Sequence, residues 1–186
     1  VSNAEKIHHV NPIFLVEKII RERILDSIYW KRHCFNLNLL TFINKAADLE
    51  LIGTYLNTNN TKPTHFMCLI LKLLQLSPSE EIIVYFINQK DFKYLTCLGL
   101  LYARLTMDSL KIYELLEPFY NDYRKLRYKN PHGSVELIHM DEFVDMLLDG
   151  GDDDENCKFG DLILPRLVNR LHLEEQDLIE PRSSQL

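Results

Sequence analysis

The chain reads KPTHFMCLILKLLQL at residues 62–76, and this stretch decides the fold. Apolar residues occupy nearly every position after Pro63, and Lys72 interrupts them. The run is shorter than the roughly 18–20 uncharged residues that a membrane span needs. A helix that is apolar on every face and too short for a bilayer is typical of the centre of a helical core. The side chains that we expect to be nearly fully buried are Leu69, Leu73, Phe92 and Leu105.

Helix signals continue on both sides of this central helix. Asn11 followed by Pro12 is typical of an N-cap with proline at the first helical position. One apolar face is then expected from Ile13, Val16, Ile20, Ile24 and Ile28. Further helices are predicted over residues 37–51, after Ser79, from 91 to 105 and from 108 to 118.

The helical pattern breaks after Pro118. Residues 126–128 and 135–138 alternate in character around Asn130-Pro131-His132-Gly133, which predicts a β-hairpin. Helix returns after Met140 and closes at Gly150-Gly151. A last helix is expected from about Asp161, with buried Leu162, Ile163, Leu167 and Leu171. The predicted fold is mostly α, a single compact multi-helix domain with one short β-hairpin.

The composition fits one domain. The chain has 186 residues, of which 46% are hydrophobic, with only 6 Gly and 7 Pro. We expect a flexible N-terminal tail over residues 1–10, whose first four residues resemble an expression-tag remnant. A single helical domain is expected over 11–181, an acidic flexible loop within it over 150–158, and a tail over 182–186.

The sequence shows no motif for catalysis, a metal or a cofactor. The four cysteines form no Cys-x-x-Cys pair, so reduced thiols are expected, and Cys68 and Cys97 lie in apolar helical patterns that place them in the core. The acidic run at Asp152–Glu155 does not match the calcium-loop pattern in either of two registers. Positions 6 and 12 counted from Asp152 are Cys157 and Ile163, and position 3 counted from Asp149 is Gly151. No nucleophile elbow, phosphate loop or His-Glu-x-x-His motif occurs. We therefore expect no enzyme activity, no metal, no cofactor, no small-molecule substrate and no membrane partner.

The segment from Phe119 to Lys129 combines aromatic, amide, acidic and basic side chains. Three interpretations are open. Its aromatic residues can fill the core with the cations solvated, the segment can bind a protein partner, or its tyrosines and cations can stack and bind RNA. The net charge of −6 argues against a dedicated nucleic-acid binder.

Many short stretches in this chain resemble the pre-mRNA-splicing factor 38 family, in order over residues 11–181. The matching stretches are Asn11-Pro12, 15–21, Tyr29-Trp30-Lys31, Lys62-Pro63-Thr64, Cys68-Leu69, Leu71-Lys72, 91–94, Leu98-Gly99, Leu101-Tyr102, 104–106, 116–118, 120–125, 141–143 and 163–167. The loop before Lys62 is richer in asparagine than is usual in the family, and the acidic insert is longer.

The resemblance implies a nuclear, non-enzymatic helical scaffold of the spliceosome. Family members associate with the tri-snRNP and are needed for spliceosome activation in pre-mRNA splicing. The expected partners are spliceosomal proteins, bound through short helical segments, and snRNP particles with weak RNA contact.

Two sets of site residues follow as predictions. The partner-binding residues are Tyr120, Asn121, Asp122, Tyr123, Arg124 and Lys125. The alternative is a direct RNA-binding module, in which the contacting residues are Arg127, Tyr128 and Lys129.

Overall fold

The computed structural model describes residues 11–149 and 157–184, and its centre is the apolar stretch quoted above. Helix α3 covers His65–Leu76. Thr64 caps it, because its hydroxyl accepts the Met67 N–H at 3.1 Å and donates to the Gly53 carbonyl at 2.6 Å. Every residue from 66 to 74 is buried. Lys72 fits among them because its ammonium group donates to the Phe35 carbonyl at 3.0 Å and to Gln75 Oε1 at 2.9 Å.

Some of the other helices pack directly against α3, and others pack against those neighbours. The α-helices are α1 (Lys18–Asp26), α2 (Leu39–Ala47), α4 (Glu80–Ile87), α5 (Lys93–Thr106), α6 (Ser109–Leu116), α7 (Met140–Leu148) and α8 (Arg170–Glu175). Short 3-10 turns cover Pro12–Leu15 and Glu117–Asn121, and a π-helical turn covers Trp30–Cys34. The predicted mostly α architecture is confirmed.

Helices α4 and α5 approach each other closely at Gly99. A Cβ atom at this position would lie 2.9 Å from the Ile87 side chain and 3.3 Å from Phe86 Cβ. The position therefore needs glycine, because any side chain would push the two helices apart.

The predicted hairpin is present and belongs to a three-stranded sheet. Strands β2 (Lys125–Lys129) and β3 (Val135–His139) are antiparallel, and β1 (Ile52–Gly53) pairs with β2 in parallel. The strand order is β1-β2-β3, so β3 lies at one edge of the sheet. Leu126, Tyr128 and Ile138 face the core.

The prediction of a helix from Asp161 is wrong. Strands β4 (Lys158–Phe159) and β5 (Leu162–Ile163) form a small antiparallel pair there, and Gly160 at φ 56° makes the tight turn between them. An extended segment follows, and α8 begins only at Arg170. Leu162 is buried as expected, whereas Leu171 is 65% exposed.

Two other expectations need correction. The continuous first helix is interrupted after Leu15 and ends at Asp26, so Ile28 is 69% exposed rather than on a buried face. Phe92 precedes α5 instead of lying within it, and its side chain is 44% exposed. Leu69, Leu73 and Leu105 are fully buried, as the sequence predicts.

Some predicted segments lie outside the described residues. These are the N-terminal tail at 1–10, most of the acidic loop at 150–158, and the last two residues of the C-terminal tail. Within the described ranges, no helix is both long and apolar enough to cross a lipid bilayer.

Candidate protein-interaction site

A groove lies where α4, α6 and the 3-10 turn at Glu117–Asn121 converge. Its volume is about 500 Å³. The lining residues are Ile87, Asn88, Glu114, Leu115, Pro118, Phe119, Asn121, Asp122, Tyr123 and Arg124. Four of the six predicted partner-binding residues, 121–124, therefore border one concave surface.

The floor of this groove is apolar and its rim is polar. Ile87 is buried, and Leu115 and Phe119 are half-buried and pack against the core. Tyr123 is 66% exposed, and Glu114, Asn88 and Asn121 are also exposed. An apolar floor with an aromatic, hydrogen-bonding rim is the usual composition of a protein-binding surface.

Arg124 holds one wall of the groove in place. Its guanidinium group donates to the Gln89 carbonyl at 2.8 Å and to the Lys90 carbonyl at 3.0 Å, just beyond the C-terminal end of α4. The same group makes a bidentate ion pair with Asp122, in which Nε donates to Oδ1 at 3.1 Å and Nη2 donates to Oδ2 at 2.7 Å. Carbonyls near a helix C-terminus carry partial negative charge, which favours the cation there.

Asp122 and Arg124 also connect the groove to α7. The Asp122 carbonyl accepts the Asp141 N–H at 3.0 Å, and the Arg124 carbonyl accepts the Met140 N–H at 3.0 Å. These two residues are half-buried. Their contacts identify them as residues that position the groove rather than residues that extend from it.

Tyr120 has a similar tethering role. Its hydroxyl donates to Asp145 Oδ1 at 3.1 Å, and the Arg182 guanidinium lies 5.3 Å from the centre of its ring. Burial, together with the hydrogen bond to Asp145, raises the pKa of Tyr120 to about 12, so the hydroxyl remains protonated at neutral pH. The exposed members of the predicted set are Asn121, Tyr123 and Lys125.

The three residues assigned to RNA contact do not form one surface. Arg127 is exposed and lies 4.0 Å from Glu50, and Lys129 donates to the Gly133 carbonyl at 2.6 Å. Tyr128 is only 7% exposed and packs with its ring centre 6.1 Å from that of Phe159. The RNA alternative is wrong about Tyr128, because strand alternation turns its ring into the core, where no base can stack.

A cluster of possible ligands lies at the start of α7, and the sequence analysis missed it. Donor atoms of His139, Asp141 and Glu142 lie within 4.8 Å of one another. The Glu142 carboxylate accepts the His139 N–H at 2.7 Å and contacts the imidazole at 3.1 Å. These hydrogen bonds, the backbone one first, lower the pKa of Glu142. The cluster is a helix capping box.

Three of the four cysteines have the environment of core residues. Cys34, Cys68 and Cys97 are buried and none of the four is in a disulfide. Burial raises the pKa of Cys68 to about 11 and that of Cys34 to about 12. Both groups are therefore neutral thiols at physiological pH, which are poor nucleophiles.

Sequence comparison identifies relatives of this chain over nearly its whole length. A sequence model of the PRP38 family matches residues 5–177. Pre-mRNA-splicing factor 38A of Homo sapiens is 49% identical over 186 residues, and that of Danio rerio is 48% identical. In both cases all of this chain aligns, and it spans 57% of the relative's length.

A crystal structure also matches closely. It is described as the Snu23–Prp38–MFAP1(217–258) complex of Chaetomium thermophilum. The matching chain has a TM-score of 0.84 and 38% sequence identity, over 95% of this chain and 89% of that chain. That relative was thus crystallised with protein partners.

Proposed function

This chain belongs to the PRP38 family, and on that premise we propose that it is a nuclear, non-enzymatic protein scaffold in pre-mRNA splicing. The observation that carries the proposal is the groove over Leu115 and Phe119, with Tyr123 at its rim. Hydrogen bonds of Arg124 fix one wall of this groove, and its apolar floor with a polar rim is the composition of a protein-binding surface.

The proposed ligand of the groove is a short helical segment of another spliceosomal protein. An amphipathic helix places apolar anchors at i, i+3 and i+4, and a groove of about 500 Å³ accepts a few such side chains rather than a whole helix. The relative from Chaetomium thermophilum supports this, because its complex includes a limited segment of MFAP1.

The test is assembly with defined partners. The domain is co-expressed with the MFAP1 and Snu23 counterparts of its own organism and analysed by size-exclusion chromatography. We expect co-elution for the native chain and loss of at least one partner for Leu115→Glu, because the carboxylate places a charge on the apolar floor. Co-elution of both partners with a folded Leu115→Glu variant would contradict the groove assignment.

We further propose that the protein associates with the tri-snRNP and acts in spliceosome activation. This step rests on family membership. Its test is a nuclear extract from the source organism, depleted of the protein and supplemented with native chain or the Leu115→Glu variant. We expect complexes to accumulate before catalytic activation in the depleted extract, and the native chain alone to release them. Normal activation after depletion would exclude this role.

A direct RNA-binding role is the second candidate, and exposed Lys125 and Arg127 favour it. The two functions differ in salt dependence. Phosphate contacts weaken steeply as ionic strength rises, whereas an apolar groove that holds a helix does not.

A further inference from the structure

The outer edge of β3 carries backbone groups that pair with none of the strands in the described part of the chain. Two hydrogen bonds fix the phase of the ladder: Met140 N–H to the Arg124 carbonyl at 3.0 Å, and Asn130 N–H to the Ser134 carbonyl at 2.9 Å. Hydrogen-bonded pairs recur at every second position in an antiparallel ladder. Ile138 and Glu136 therefore bond to β2, while Val135 and Leu137 direct their backbone N–H and C=O groups away from it.

On the edge of β2 that faces away from β3, the outward-pointing backbone groups have hydrogen-bond partners. On β2, the outward-pointing Arg127 N–H donates to the Tyr94 hydroxyl at 3.1 Å, and β1 pairs with the end of the strand. At the β3 edge, neither Val135 nor Leu137 has a backbone hydrogen bond to any other residue that the structure describes. An edge of this kind is a template for an added strand.

The side chains beside this edge are apolar and cationic. Val135 is 46% exposed and Leu137 is 61% exposed. The register places them opposite Lys129 and Arg127, on the solvent face that Lys125 shares. Glu50 lies 4.0 Å from Arg127, and it is the only carboxylate that ion-pairs with these three cations within the described ranges. The face therefore combines exposed aliphatic area with excess positive charge.

We propose that the β3 edge binds an extended, acidic segment of a protein partner, which joins the sheet as a fourth strand. The free backbone groups at Val135 and Leu137 supply hydrogen bonds, and alternate apolar side chains of the segment cover Leu137. Acidic side chains between them meet the cations of β2, so the charge complementarity selects the occupant. This surface is on a different element from the groove, and its failure leaves the groove proposal untouched.

A protein segment fits these observations better than RNA does. Single-stranded RNA binding typically relies on exposed aromatic rings on which successive bases stack. Tyr128 faces the core, and the exposed positions between the cations carry Leu137 and Val135. Backbone N–H and C=O groups in alternation match another peptide backbone, which carries both donors and acceptors.

The direct test is amide hydrogen exchange by NMR on the ¹⁵N-labelled domain. The probe is a soluble peptide of alternating valine and glutamate, and the comparison is an oligouridylate of similar length. In the free domain we expect fast exchange at Val135 and Leu137 and slow exchange at Glu136 and Ile138. Peptide addition should slow the first pair and leave the second pair unchanged.

Several outcomes would overturn the proposal. Val135 and Leu137 amides that are already protected in the monomer would mean the edge is occupied. Protection that depends on protein concentration, with a dimer in sedimentation, would identify a second copy as the occupant. Protection of these amides by oligouridylate and not by the peptide would identify RNA as the ligand. Unchanged amide exchange with both probes would show that the β3 edge binds neither.

Two matched variants of the probe isolate the backbone contribution. One peptide carries N-methyl groups on the residues whose N–H groups face β3, and the other carries them on the alternate residues. Methylation of the facing set should weaken binding at least about tenfold, through lost hydrogen bonds and steric exclusion, while the alternate set changes it little. Equal affinities would contradict strand addition.

The matching change in the protein is Leu137→Pro, compared with Leu137→Ala. Proline removes the outward N–H without removing a ladder hydrogen bond, whereas alanine removes only side-chain area. We expect the proline variant to lose more peptide affinity than the alanine variant and to retain the partner bound in the groove. Equal loss in the two variants would contradict a backbone role, and loss of the groove partner would show that the change disturbs the whole domain.

Discussion

Helix α3 and the segment from Glu117 to Lys129 are both rich in large side chains, yet they are buried in different ways. Every residue of α3 from 66 to 74 is buried, as its composition requires. In the later segment, half-buried Tyr120 and Arg124 are anchored while Tyr123 between them is exposed. The anchors are distant in sequence, since Arg124 binds the Gln89 carbonyl and Tyr120 binds Asp145. Helix α3 thus forms the core, whereas the first part of the later segment, residues 118–124, borders the groove.

The largest effect should come from the core. Leu73→Ala is expected to lower the free energy of unfolding by about 2–5 kcal/mol, because it removes buried methyl groups and leaves a cavity. Urea denaturation monitored by circular dichroism measures it. The control is Leu110→Ala on α6, where the side chain is 37% exposed and the loss should be clearly smaller. Equal losses of unfolding free energy in the two variants would contradict the assignment of α3 to the centre of the core.

Arg124→Ala should have the next largest effect on stability. The change deletes the hydrogen bonds to Gln89 and Lys90 and leaves Asp122 without its ion pair. We expect a loss of about 2 kcal/mol, as for a partly buried hydrogen-bonded charge. The same denaturation measures this change. A loss below about 0.5 kcal/mol would mean that Arg124 is free to bind a partner, as the sequence alone suggested.

The free energy of unfolding should depend on pH through His65, which is the first residue of α3. Partial desolvation, followed by the nearby His33, lowers the pKa of His65, whose ring stacks on Tyr29 with 3.7 Å between the ring centres. Below about pH 6.5 the unfolded chain then binds a proton that the folded protein resists, so stability falls as pH falls. Melting curves between pH 7.5 and 5.5 should show a smaller decrease for His65→Gln than for the native chain.

The control for that titration is His132→Gln, since His132 is exposed in the hairpin turn. This variant should follow the native curve. If His65→Gln also follows it, the lowered pKa of His65 contributes nothing to stability in this range.

Local patterns predicted the parts of the fold that local composition determines. The run at residues 62–76 gives α3, and the alternation around Asn130-Pro131-His132-Gly133 gives the hairpin. The predicted helix from Asp161 failed because apolar spacing alone cannot exclude a two-residue strand pair turning at Gly160. The burial of Phe159 against Phe66 and Phe143 stabilises that pair from distant parts of the chain.

The candidate site was predictable only in part. The sequence predicted a partner surface over residues 120–125, and three of these residues, Asn121, Tyr123 and Lys125, are exposed. The groove also needs Ile87 from α4 and Leu115 from α6. Nothing in either helix alone shows that their ends converge, because that depends on how α5 packs between them. Arg124 looked like an exposed cation because its carbonyl partners lie more than thirty residues away.

The smallest effect on stability should come from Tyr123→Ala, because the side chain is 66% exposed. We expect a change within about 0.5 kcal/mol in the free energy of unfolding. Urea denaturation of this variant and of Arg124→Ala compares two adjacent residues under the same conditions. A loss comparable to that of Arg124→Ala would assign Tyr123 to the structural network instead of the surface.

The most direct test of the account is the affinity of the same Tyr123→Ala variant for a partner, measured by isothermal titration calorimetry. The ligand is the counterpart, from the same organism, of the MFAP1 segment in the solved complex. The control is Tyr85→Ala, a tyrosine on α4 that is 60% exposed and does not line the groove. We predict at least about a tenfold loss of affinity for Tyr123→Ala, as for an interface hot spot, and native affinity for Tyr85→Ala. Native affinity for Tyr123→Ala, or equal losses in both variants, would contradict the groove as the partner surface.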